Sequence, residues 1–546
     1  MFKARILNIV LSMALLLCIT GCISNTDMVE SKSYPLAVSV SDFGFTSASG
    51  TKATTRATES GYVTTFAKGD QIGLYVVNSS NNVETANLCL TYNGTNWNYP
   101  TGSMVYYNST SRYFAYYPYQ STLTGAPTTS TATDAATFFA TAISDWTPAT
   151  DQSSQAKYTA SDLMVGTGIA GTLYSNATRA MSFNMSHQMA LVDMNFPYYY
   201  LSTDNNYTYT LGLTCNGFKP YHVSNGNYRY IIKSATNTSI WGYYCTTTSA
   251  NTNQIFNKAV KAAAGTYQTM NVDNTSTSTS YTMSIGDYYL NDGSVIPNAT
   301  KNTYLLSKAI GVVFDTSTST TDQGHGWTHG YVMSLTNAST SASWDTSADI
   351  DEAGDTFGSF TYKDYSGDNA SYTVYITNKD GYSETKAINN IRYTSLQSNY
   401  QAFYYALNYG TSSIGGTQYV APPNNNSGWF LPSIGQWYDI YTNLGKMSTT
   451  PVSYSTGTCN WLNTNSSGTS LCAGNINAYM ANASSIVTTD YFLKNSSISA
   501  EWYWSSTEYN GSNSYYADLY NNGYTWLAEN GNLKSVTRTI RSAIAF

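Results

Sequence analysis

Residues Ser33–Phe45 read SYPLAVSVSDFGF. Leu36, Val38 and Val40 fall on one side of an alternating pattern, with Ala37, Ser39 and Ser41 on the other. A period of two is that of a β-strand with one buried face. Phe43 and Phe45 continue it with the phase moved by one, as a bulge near Gly44 would do. Soon after comes TKATTRATESG (Thr51–Gly61), small and polar, with Arg56 its one arginine. That run has nothing with which to pack a core, and an exposed arginine in such a segment is what a trypsin-like protease cuts. A second body of strands begins at Tyr62. The order strand, soft connector, domain has a physical use. If the first strand fills a slot in the domain's sheet, a cut after Arg56 frees it, and the opened edge accepts a strand from another chain.

Upstream, Lys3 and Arg5 precede an apolar run, Ile6–Ile19, which ends in Ile19-Thr20-Gly21-Cys22. The run is shorter than the about 20 residues that span a bilayer, so it reads as an export signal over residues 1–21. Its ending resembles the lipobox of bacterial lipoproteins, which makes Cys22 the lipidated residue and the precursor an outer-membrane lipoprotein. Residues 23–35 are polar and suit a tether, and 22–56 form a removable propeptide. The 525 residues after position 21 exceed one ordinary domain of about 100–200 residues, so two or three are expected. A net charge of −7 without a basic run argues against a nucleic-acid partner. With 51 Tyr, 18 Phe and 11 Trp among abundant Thr and Ser, the chain reads as mainly β.

FAKGDQIGLYVV (Phe66–Val77), RYFAYYPYQ (Arg112–Gln120), MSFNMSHQMALVDMNF (Met181–Phe196) and AAAGTYQTMNV (Ala262–Val272) occur in that order. Together they resemble the recurring motifs of the fimbrillin family, lipoprotein-derived pilins of type V pili. The resemblance implies a β-sandwich over 57–272 and export as a lipidated precursor. It also implies cleavage by an Arg-specific, trypsin-like protease between Arg56 and Ala57, with Lys52 a less favoured neighbour. In the family the first strand is then lost, and a strand from another pilin subunit fills the groove.

A Ser/Thr linker, DNTSTSTS, covers 273–280. Beyond it, GWFLPSIGQWYDIY (Gly428–Tyr441), EWYWSSTEY (Glu501–Tyr509) and VTRTIRSAIAF (Val536–Phe546) stand out. They resemble C-terminal modules of bacterial surface proteins of the major paralogous and Lcl types, implying a C-type-lectin-like α+β module over 281–546. Ile434, Trp437, Ile440 and Tyr441 share one face of a short helix that Gly445 stops. VTRTIRSAIAF matches that module's closing strand, with Ile540, Ile544 and Phe546 for its core. Fimbrillins usually donate a strand from their C-terminal end; one already paired inside its own domain is not free, which points to the fimbrial tip.

Chemistry-bearing residues are few. His325 and His329 have i, i+4 spacing, but the glycines around them argue for a loop, and no third ligand is near. His187 reads as a satisfied structural residue. Asp349, Asp351 and Asp355 partly resemble a calcium loop, yet Ala353 replaces an oxygen ligand; a solvated turn is the reading, with Ca2+ as the alternative. Cys459 and Cys472 are the expected local disulfide, an exported protein being permitted one, and lack the flanking cations of a redox pair. No nucleophile elbow or nucleotide loop is present, so no enzyme and no cofactor are expected. Trp437, Trp502, Tyr503 and Trp504 read as core, or alternatively as a stacking platform for a surface glycan. The reading is a fimbrial subunit at the tip, mediating adhesion to a host or bacterial surface ligand. The alternative is an uncleaved, lipid-anchored glycan-binding protein.

Overall fold

The computed structural model describes residues 33–48, 62–272, 278–346, 352–363, 365, 372–451, 453–455, 458–462, 471–493, 500–520, 524–528 and 533–546. Strand β1 (Leu36–Asp42) follows the alternation read above: Leu36 is buried, Val38 and Val40 pack half-buried on the same core, and Ser39 and Ser41 face solvent. Past Gly44 the chain turns into a short strand, β2 (Thr46–Ser47). The expected phase shift holds for Phe45, which is buried, but not for Phe43, which is exposed because the strand ends at Asp42 and the chain only turns inward at Gly44.

Two main sheets and a smaller three-stranded one (Thr214–Cys215, Thr238–Cys245, Asn253–Val260) build the N-terminal body. In the seven-stranded sheet, β1 occupies one edge and runs parallel to β3 (Arg179–His187), with Leu36 opposite Arg179 and Asp42 opposite Met185. In the five-stranded sheet, β4 (Ala190–Asn195) lies beside β5 (Thr266–Asn271), and β2 takes the edge parallel to β5. One short N-terminal segment thus lines an edge of both sheets. Between the sheets, Tyr75, Phe114 and Val165 meet Leu191, Ile231 and Tyr267, with Phe138 and Phe139 packed among them. Their outer faces carry further cores, so alternate residues of β3 (Met181, Phe183, Met185, His187) are all buried.

The segment expected to be a linker over 273–280 is in part a strand. β6 (Ser278–Tyr281) pairs in parallel with Tyr198–Leu201, because edge pairing uses main-chain groups and does not need the apolar side chains this run lacks. Leu201, Tyr209, Leu211 and Cys245 also belong to the large core that continues through the C-terminal residues.

That second body is a ten-stranded sheet. Its centre holds β7 (Tyr331–Ser343), β8 (Ala500–Glu508) and β9 (Thr537–Ala545), with β9 between the other two. Helix α1 (Ile434–Asp439) begins in a capping box of Ser433 and Gln436 and continues as one π-turn to Gly445. All four apolar residues expected on one face, Ile434, Trp437, Ile440 and Tyr441, are buried. The SST of EWYWSSTEY ties down a second helix. Ser506 Oγ and Thr507 Oγ1 donate hydrogen bonds of 2.5 and 3.1 Å to the buried Glu384 carboxylate on helix Gly381–Ile391.

Candidate strand-acceptor slot

The segment 33–48 is held mainly by its backbone. Leu36 N–H donates to the Val105 carbonyl (2.9 Å), Arg179 N–H to Pro35 (2.8 Å) and Phe43 N–H to Met185 (3.2 Å). Farther along, Thr46 N–H donates to Gly265 (2.9 Å) and Ala48 N–H to Tyr267 (3.0 Å). Leu36 enters the outer core and Phe45 the core between the sheets, so the two hydrophobic anchors sit at opposite ends of the slot.

Between the anchors lies a buried charge cluster. His187 Nδ1 is 2.6 Å from Asp162 Oδ2, and Nε2 is 3.0 Å from Asp42 Oδ1, with all three side chains almost wholly excluded from water. Asp42 also accepts from the amides of Thr64 (2.5 Å) and Gly44 (2.8 Å). The Phe45 ring stacks on the imidazole, centroids 3.7 Å apart and planes within 20°. Burial disfavours charge on His187, but the Asp162 and Asp42 carboxylates overcome it and push the ring up to about 10. Burial likewise raises Asp42, yet the imidazole and the two amides win and hold it below its usual value. For Asp162 burial prevails, keeping it above the usual range. Each ring nitrogen lies within hydrogen-bond distance of a carboxylate oxygen, so a ring protonated on both nitrogens satisfies both contacts.

These directions give a pH dependence. The His187 contribution is fully present below its ordinary value of 6.5 and is lost as pH rises through about 10. The Asp42 contribution is present above 3.8 and is lost as pH falls through its lowered value. We expect the thermal midpoint to fall between about pH 7 and pH 10, and His187→Gln to flatten that fall, as read by circular dichroism melts across the range.

Gly44 and Tyr62 set the geometry at the connector. Gly44 has φ +73°, and a Cβ there would meet Val63 Cγ2 at 2.7 Å, so glycine is required. Tyr62 donates from its hydroxyl to Asp193 (3.0 Å), stacks on Tyr267 and lies under the Arg229 guanidinium. Phe45 N–H donates to the Tyr62 carbonyl (2.9 Å), so the described ends of the connector are neighbours. Tyr62 thereby fixes the chain on the far side of any cut in 49–61. Cys22, Arg56 and Ala57 lie outside the described residues, as do Asp349 and Asp351.

The other candidates do not converge on a site. Trp437, Tyr503 and Trp504 are buried in the C-terminal core, their polar atoms used by Trp504 O, Glu501 and Ala342 O respectively. They cannot offer a stacking face, and of the four aromatics only Trp502 is exposed, at 42%. Cys459 and Cys472 are free thiols, correcting the expected disulfide. Both are buried in the core, Cys459 beside Tyr375 and Cys472 against Gly445 and Thr525, and burial raises each thiol. Asp355 is 3.3 Å from Arg392, which also binds Glu352, so a cation on the protein already occupies that carboxylate. Among the described residues no group of three His, Cys, Asp or Glu is placed to hold a metal ion. His329 instead meets Asp204 at 3.0 Å, and His325 stacks on Trp327. Among the described residues no helix is long and apolar enough to cross a membrane. Sequence reasoning placed β1 and His187 but missed Asp42 and Asp162; the signal available was a carboxylate closing an otherwise uncharged strand in a chain with 10% charged residues.

The N-terminal body is a β-sandwich whose first segment lies along one edge of each of its two main sheets. The family model described as fimbrillin-like matches residues 55–404, from within the connector across the 273–280 segment. The chain belongs to this fimbrillin-like family of fimbrial subunits. A Bacteroides ovatus protein, Fim1C, whose name places it at the fimbrium tip, is 29% identical over 329 residues, or 54% of this chain. The alignment spans 57% of that relative. A crystal structure of a fimbrial protein from Bacteroides ovatus superposes with a TM-score of 0.55 at 22% identity, covering 94% of this chain and 100% of that one. It shows a shared fold.

Proposed function

We propose that this protein is a fimbrial tip subunit that accepts a strand and does not donate one. It is exported as a precursor lipidated at Cys22 and matured by an Arg-specific, trypsin-like protease that cuts after Arg56. Segment 33–48 then leaves, and an extended strand from another pilin subunit takes the slot. The observation that carries this reading is the contrast between the two chain regions that could exchange. β1 is an edge strand of the seven-stranded sheet and β2 of the five-stranded one, whereas β9 is hydrogen-bonded between β7 and β8 at the centre of a ten-stranded sheet. Withdrawing β9 would expose Ile540, Ile544 and Phe546, all buried, at about 25 cal/mol per Å² of apolar surface. An edge strand can leave at far smaller cost. The relative named for the fimbrium tip supports the same placement.

The C-terminal body, which we read as lectin-like, carries adhesion to a host or bacterial surface ligand. Immunogold labelling of native fimbriae should mark one end of each fibre. Label along whole shafts would refute tip placement, and label on the cell surface alone would favour the uncleaved, lipid-anchored alternative.

A further inference from the structure

Main-chain pairing along an open edge is indifferent to sequence, so a slot lined only by amides and apolar side chains would accept many strands. This slot is not lined so. When segment 33–48 departs it takes away the Asp42 carboxylate and the Phe45 ring, but His187 and Asp162 belong to the body that stays. The emptied site then presents an imidazole Nε2, with Nδ1 held by Asp162, and the Thr64 amide, which Asp42 had satisfied. Burying these donors under a strand with no acceptor leaves them unpaired in a place that water does not reach. Nearby, the imidazole face that Phe45 covers at 3.7 Å is bared to solvent.

We propose that the slot selects its incoming strand by a carboxylate set where Asp42 sits and an aromatic ring set where Phe45 sits, both recognised by His187. This rests on the strand-exchange reading above. The partner is an extended segment of another subunit that runs parallel to β3, with a large apolar residue in the place of Leu36, an Asp or Glu at the position of 42 and Phe, Tyr or Trp at that of 45. The spacing is fixed by the scaffold. Position 42 lies opposite Met185, two residues before His187, and the turn at Gly44 carries the chain from one sheet to the other, bringing residue 45 over the ring. A strand with the right apolar alternation but Asn or Ser at position 42 would pair its backbone and leave the buried ring without its second carboxylate. The Asp42–His187 contact thus acts as a specificity determinant, added to the apolar fit.

The test uses the full chain with a site-specific protease sequence placed within 49–61, so that cutting does not depend on Arg56. The cut protein is unfolded in urea and refolded with excess fluorescent peptide of residues 33–48, in wild-type, Asp42→Asn and Phe45→Ala forms. We expect the wild-type peptide to be incorporated and the Asp42→Asn peptide to be incorporated at least about tenfold less, the scale of losing a hydrogen bond to a charged group. Phe45→Ala should fall by about a hundredfold or more, the scale of deleting a buried phenyl ring. In a His187→Gln body the preference for Asp over Asn should disappear, which a merely structural role for Asp42 would not produce. If wild-type and Asp42→Asn peptides enter equally well, the selectivity is refuted while strand exchange stands. If no peptide enters, wild type included, the slot does not exchange strands, and both readings fall.

Discussion

Arg56→Ala is expected to abolish maturation. With the arginine gone, a trypsin-like protease finds only Lys52 in the run Thr51–Gly61, and an Arg-specific enzyme finds nothing. The intact chain should keep segment 33–48 in both sheet edges, remain lipid-anchored through Cys22 and be absent from sheared fimbriae. The expectation follows from the energetics of the slot. An uncut strand competes with any incoming strand as part of the same chain, at an effective concentration of the order of mM, so a dilute partner cannot displace it. Cutting removes that advantage without changing a contact. Immunoblots of the surface fraction should show a single full-length band for Arg56→Ala and a shortened product for the wild type. Normal assembly of Arg56→Ala, trimmed at the same place, would make Arg56 an ordinary connector residue.

The second large effect concerns β9. Ile540 is fully buried and its strand is paired on both sides. Ile540→Asp puts an unpaired carboxylate into that core and should cost about 4 kcal/mol or more, enough to unfold the C-terminal body. Ile540→Val removes one methyl group and should cost about 1 kcal/mol. Urea denaturation followed by Trp fluorescence reads both, because Trp344, Trp437 and Trp504 all lie in this core. A strand held loosely for donation would tolerate the aspartate, so near-wild-type stability of Ile540→Asp would remove the argument that this subunit only accepts.

Local periodicity carried much of the fold. The alternation at 36–40 gave β1 its buried face and the spacing of Ile434, Trp437, Ile440 and Tyr441 gave α1, whereas β9 was expected from the resemblance of Val536–Phe546 to a closing strand. What periodicity does not encode is which edge a strand joins. Parallel pairing of β1 with β3 joins positions 143 residues apart, and a Ser/Thr run such as 278–280 carries no apolar signal for the edge it completes. The charge cluster was hidden for the same reason. Asp42, Asp162 and His187 are isolated residues in sequence, and only the parallel register brings the first to the last. The aromatic residues of 502–504 follow the core reading in two of three cases: both faces of β8 are covered along most of its length, burying Tyr503 and Trp504, and Trp502, near the strand's start, is exposed.

The most direct measurement is mass spectrometry of this subunit taken from purified fimbriae, with its N-terminus and peptide coverage determined together. The account predicts a chain beginning at Ala57, no peptide from residues 33–48, and a peptide from another subunit released on denaturation. A chain beginning at acylated Cys22, or residues 33–48 still present in assembled fibres, would contradict it.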